Sequence, residues 1–134
     1  MKVLFADTVL DEILFSGACS GDVRWLLNRC QEQKIEGCFC GSYAEGLVRK
    51  LSREDLERVL PILSKLLRPI HVNLRDLREA LRRQDVEAGL IEVLVRRHRL
   101  DCGLVMKKNA GRDSTIELYV PSELRRKLEN GKTS

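Results

Sequence analysis

By residue type, the chemistry open to this chain rests on its cysteines, carboxylates and arginines, and their spacing already narrows it. Five cysteines, Cys19, Cys30, Cys38, Cys40 and Cys102, form an odd set. Cys38 and Cys40 stand one residue apart in an apolar run, and His71 and His98 have no ligand-like spacing to each other. That is the pattern of buried free thiols rather than of a zinc site. An odd count with no export signal also argues against a disulfide framework. No Gly-x-Gly-x-x-Gly or phosphate-loop lysine follows a strand-like run, and no glycine-flanked serine elbow occurs, so nucleotide-cofactor enzymes and serine hydrolases find no support.

The elements that must position any site alternate in type. Lys2 to Ala6, Ile35 to Cys40, Pro69 to Val72, Gly103 to Met106 and Ile116 to Val120 are short apolar runs suited to buried strands. Between them lie helical periodicities. Val23, Leu26, Leu27 and Cys30 recur at helical spacing, and Leu56, Val59, Leu60, Leu63, Leu66 and Leu67 follow Ser52, which has capping-box spacing to Asp55. Pro61 is expected to bend that helix. Asn73 can cap a helix carrying Leu74, Leu77, Ala80 and Leu81, and Asp85 begins another, with Val86, Leu90, Val93 and Leu94 expected to face the sheet. Pro121 and Ser122 start a closing helix.

Five strands alternating with helices predict an α/β fold of three layers, α/β/α, around a central, mostly parallel sheet. One domain is expected over residues 1–130, with 131–134 a frayed tail. In such sheets ligands bind beyond the carboxyl ends of the strands. The segments to watch are therefore Asp7, Ser42 to Glu45, Asp85 to Ala88 and Asn109 to Asp113.

Charge is unevenly placed. The net charge is +4, but residues 65–112 carry twelve Lys or Arg against six Asp or Glu, whereas residues 1–64 carry eight against ten. A basic second half can meet polyanions. The N-terminal apolar stretch is broken by Asp7, Asp11 and Glu12, which a signal peptide or membrane helix does not tolerate, so a cytoplasmic protein without membrane contact is expected.

Four motifs, in order, resemble those of the PIN-like family of metal-dependent ribonucleases typified by bacterial toxins. They are Val3-Leu4-Phe5-Ala6-Asp7-Thr8-Val9, Asp85-Val86-Glu87-Ala88-Gly89-Leu90, Val105-Met106-Lys107-Lys108-Asn109 and Val120-Pro121-Ser122-Glu123-Leu124. The resemblance spans Met1 to about Leu124 and implies carboxylates that bind Mg²⁺ or Mn²⁺ to hold a scissile phosphate and activate water. It points to Asp7, Glu45, Glu87 and Asp113 as catalytic, with Asp7, Glu45 and Glu87 as metal ligands. In the gapless register only Glu45 matches a ligand slot; Ala6, Ala88 and Arg112 occupy the others, with Asp7, Glu87 and Asp113 each one residue away.

That offset leads to the expectation of a PIN-like domain with weak or lost hydrolysis. It would act by binding RNA, through Arg82, Arg83, Arg96, Arg97, Lys107, Lys108 and Arg112, or by binding protein. The alternative is an active ribonuclease, the toxin of a toxin-antitoxin pair, whose four carboxylates share one pocket. An antitoxin or other protein partner, or a second copy in a homodimer, is compatible with either.

If the thiols are reduced and mostly buried, a chelator leaves the melting temperature unchanged and native labelling modifies few of them. Stoichiometric zinc whose removal unfolds the protein is the opposite result.

Overall fold

The computed structural model describes residues 1–16, 20–107 and 116–131. Its elements in chain order are β1 (Lys2–Phe5), α1 (Asp7–Phe15), α2 (Gly21–Gln31), β2 (Glu36–Cys40), α3 (Gly41–Lys50), α4 (Arg53–Leu66), β3 (Leu67–Ile70), α5 (Leu74–Leu81), α6 (Val86–Arg97), β4 (Cys102–Leu104), β5 (Leu118–Tyr119) and α7 (Pro121–Gly131). The strands form one sheet in the order β3-β2-β1-β4-β5, and every adjacent pair is parallel. The fold is therefore α/β with a five-stranded parallel sheet flanked by helices.

The strand order follows from connectivity. From β1 the chain steps outward to β2 and β3, then returns across the sheet to β4 and β5 on the far side of β1. Right-handed crossovers put the helices of the outward steps on one face and α5–α6 on the other. In accord with this, α2 packs against α4 and α7, while α5 packs on α6 and α6 on β4. The central strand β1 is apolar on both faces, with Val3, Leu4 and Phe5 at most 1% exposed. Burial on both sides is why these strands read as continuous apolar runs rather than alternating ones.

Local signals set the helix starts. Ser52, Asn73 and Asp85 each accept the backbone N–H three residues on, satisfying donors that a first helical turn leaves unpaired. Asn73 and Asp76 form a complete capping box, with Asp76 Oδ2 accepting the Asn73 N–H at 3.0 Å. The helix α4 continues through Pro61 to Leu66. At the sheet edges, β3 carries Arg68, ion-paired to Glu36 at 2.6 Å, and Pro69; β5 is two residues long.

The facing of α6 differs from the expectation. Its buried residues are Gly89, Ile91, Glu92, Leu94 and Val95, whereas Val86 is 45% exposed and Leu90 and Val93 are half-buried. The helix is covered on two sides, by the sheet and by α5, so its buried arc is wider than the Val86–Leu90–Val93–Leu94 stripe and is rotated from it. Gly89 permits the close approach of α5: a methyl group there would run into the Arg83 side chain and lie 3.1 Å from the Ala80 carbonyl oxygen. Cys30, Cys38, Cys40 and Cys102 are free and buried. Burial pushes the thiols of Cys40 and Cys102 up to about 12 and that of Cys30 to about 11, which leaves them protonated and unreactive. Cys19 and residues 132–134 of the expected tail lie outside the described residues.

The rotated stripe is testable. Ile91, outside the expected stripe, is 3% exposed and Val86, within it, is 45% exposed, so Ile91→Ala is expected to cost about 2–5 kcal/mol in urea unfolding, and Val86→Ala within about 0.5 kcal/mol of nothing. Equal losses at the two positions would show the helix facings to be wrong.

Candidate functional site

The order β3-β2-β1-β4-β5 reverses direction at β1, and the crevice beyond the carboxyl ends of β1 and β4 is where such sheets place ligands. Asp7 stands there. β1 ends at Phe5, and the Ala6 N–H donates to the Leu104 carbonyl at 2.9 Å, tying the end of β1 to β4. The chain then turns directly into α1 with Asp7 as its first residue.

Two further elements, α6 and α3, and the next turn of α1 bring polar side chains toward Asp7. From α6, Glu87 Oε1 accepts the Thr8 hydroxyl at 3.2 Å. One turn along α1, Asp11 Oδ1 accepts the Tyr43 hydroxyl of α3 at 2.6 Å. Lys50, at the end of α3, completes an open cleft of about 600 Å³ also lined by Asp7, Asp11, Phe15, Ser42 and Tyr43.

The electrostatics record this crowding. Asp7 has accessible surface but sits at the foot of the cleft, and that partial burial is the first cause raising its carboxyl above the usual 3.8. The negative charges of Glu87 and Asp11 raise it further, and Lys50 offsets them in part. The Tyr43 hydroxyl is likewise held well above its ordinary value by burial and by its hydrogen bond to Asp11. A carboxylate crowded by like charges that a cation offsets only in part favours either its proton or a bound positive ion.

Of the four sequence-derived carboxylates, Glu87 is held next to the helix turn of Asp7, through Thr8, near enough for its charge to bear on the Asp7 carboxyl. Glu45 does not join them. At about 100° per residue, Ser42, Tyr43, Gly46, Leu47 and Lys50 share the cleft-facing side of α3, and Glu45 falls on the opposite side. Its place beside Asp7 is taken by Asp11 and Tyr43, which sequence reasoning missed; the i, i+4 spacing of Asp7 and Asp11 was the available signal. Asp113 lies outside the described residues. Among the described residues, no three His, Cys, Asp or Glu side chains gather closely enough to be a ready-made metal cage.

The basic residues divide differently from expectation. Arg97 forms a two-pronged fork on Asp76, Nε to Oδ1 at 2.8 Å and Nη2 to Oδ2 at 2.7 Å, and also donates to the His71 carbonyl. Arg96 and Arg83 lie 3.0 Å and 3.7 Å from the buried Glu92, and Arg82 lies 3.4 Å from Glu79. All four guanidinium groups are engaged by carboxylates of α5 and α6, Arg83, Arg96 and Arg97 by buried ones and Arg82 by a half-exposed one within a single turn, which reduces the free charge they can offer RNA. Lys107 is exposed, and Lys108 and Arg112 lie outside the described residues.

No protein-family model matches the chain, and no curated protein matches it. No helix among the described residues is long and apolar enough to cross a membrane.

The raised Asp7 carboxyl has a thermodynamic consequence. The folded chain holds that proton more tightly than the unfolded chain, so ionised Asp7 opposes folding once pH exceeds its folded value. Asp7→Asn is therefore expected to melt higher than the unmodified protein at pH 7, the gap closing as pH falls toward 3.8. Thermal melts across that range check it; a lower melting temperature at pH 7 would contradict the crowding.

Proposed function

We propose that this chain is a PIN-like domain that acts on RNA as a Mg²⁺- or Mn²⁺-dependent ribonuclease, with Asp7 and Glu87 as the central carboxylates. The observation that carries this reading is their proximity: Asp7 opens α1, Glu87 in the first turn of α6 accepts the hydroxyl of the adjacent Thr8, and its charge bears on Asp7 beyond the carboxyl end of the central strand. Hard oxygen donors suit these ions, and Mg²⁺ commonly takes only one or two protein carboxylates, completing its shell with water and substrate phosphate. The donor set fits that kind of partial site rather than a closed cage. Such an ion supplies charge stabilisation at the phosphate and activation of the attacking water.

The chain's own groups then have separable tasks. Thr8 orients Glu87 by its hydrogen bond, and Tyr43 fixes Asp11 at the cleft wall. Lys50 contributes a cation to the same wall, suited to a phosphate. A reduced, cytoplasmic setting suits the free thiols of Cys30, Cys38, Cys40 and Cys102. A second reading, RNA binding without cleavage, is supported by Ala6 and Ala88 in the ligand slots of the gapless register and by Glu45 facing away from the cleft.

The two readings separate on one assay. Purified protein is incubated with single-stranded RNA, with Mn²⁺ or with a chelator. Metal-dependent cleavage lost in both Asp7→Asn and Glu87→Gln is the expected result. Retained cleavage in both variants would remove these carboxylates from the chemistry, and RNA binding without cleavage at any metal concentration would establish the second reading instead.

A further inference from the structure

The helix α5 faces the wrong way for its composition. It buries Asp76 and Ala80 and exposes Leu74, Leu77 and Leu81 at 76%, 41% and 69%, with Val86 45% exposed just beyond it. This orientation is fixed. Asp76 is held by the Asn73 capping box and the Arg97 fork. Gly89 lets α6 press against the Ala80 side of the helix. The leucines therefore cannot turn inward without unpairing a buried charge.

Around the helix, the three leucines lie within about 60° of arc, and Arg75, Arg78 and Arg82 occupy a neighbouring arc of about 60°. All three arginines are exposed. Arg82 is paired to Glu79, whereas Arg75 and Arg78 have no ion-pair partner among the described residues. The face is thus an apolar stripe with a positive flank on one side only.

We propose that this face docks an amphipathic helical segment of another protein, one whose leucine-like stripe is flanked by carboxylates. A stripe spaced i, i+3, i+7 is the pattern read in helix-to-helix recognition, and the one-sided cations select an acidic partner. A second copy of the chain fits less well. In a two-fold antiparallel pairing each arginine flank meets its own copy, placing like charges opposite one another.

The test uses the whole chain and two synthetic helical peptides of about 15 residues, near the length at which isolated helices begin to hold. Both carry leucines at i, i+3 and i+7, one with glutamates along a flank and the other with lysines there. Fluorescence anisotropy is expected to show the acidic peptide binding about tenfold or more tighter than the basic one. The double variant Arg75→Glu, Arg78→Glu should reverse that order, and Leu77→Asp should abolish binding while melting like the unmodified chain. Absence of binding, equal binding of both peptides, or a preference that survives charge reversal overturns the proposal. A dimer in sedimentation that Leu77→Asp splits into monomers also overturns it, by giving this face to a second copy.

Discussion

A carboxylate shut away from water has to be matched, and the matching of Asp76 by Arg97 organises the chain between β3 and β4. Asp76 is 2% exposed. Burial by itself pushes its carboxyl up, but the Asn73 backbone N–H and the Arg97 fork outweigh that and hold it below its usual 3.8. Because Arg97 also reaches the His71 carbonyl, one guanidinium joins the end of β3, the start of α5 and the end of α6. A pair in which the carboxylate is buried and the arginine side chain partly exposed contributes modestly to net stability, since desolvation of the carboxylate offsets much of the attraction. Its larger effect is on arrangement: it fixes the rotation of α5 and anchors the C-terminal end of α6, whose other end presents Glu87 to Thr8.

The parallel sheet was legible because its strands are buried on both faces and stand between helical periodicities of unmistakable length. Ser52, Asn73 and Asp85 announced their helices for a local reason, a side-chain oxygen three residues before a free N–H. The facing of α6 was not legible, since a single-stripe reading assumes one packing partner and this helix has two. The site was half legible. Asp7 and Glu87 stood out by position after strands and within motifs, but whether Glu45 faces them depends on the rotation of α3, which Gly41 and Ser42 do not specify, while Asp11 was signalled only by its i, i+4 spacing to Asp7. The arginines looked like a polyanion surface because composition counts charges and cannot see that Glu92 and Asp76 lie beneath them.

At the crevice beside β1 the chain keeps an arrangement that its own stability does not favour. Partial burial and the negative charges of Glu87 and Asp11 raise the cost of ionising Asp7, with Lys50 as a partial counterweight. A group placed against its own electrostatic interest often sits where a ligand relieves the strain, and a perturbed carboxyl in a cleft is a recognised sign of that. The topology makes the placement easy: only at the reversal of strand order do helices from both faces end close enough for α1, α3 and α6 to contribute side chains together.

The two margins of the sheet bear on how the protein behaves in a crowded solution. An outer strand exposes unpaired backbone groups that can template the strands of neighbouring molecules. Here β3 presents Arg68, a charged side chain, and Pro69, which has no N–H to donate. The opposite margin, β5, is two residues long and offers little ladder to extend. A fully parallel sheet with a hydrophobic central strand thus ends on both sides in segments poorly suited to cross-molecule pairing, which favours colloidal stability.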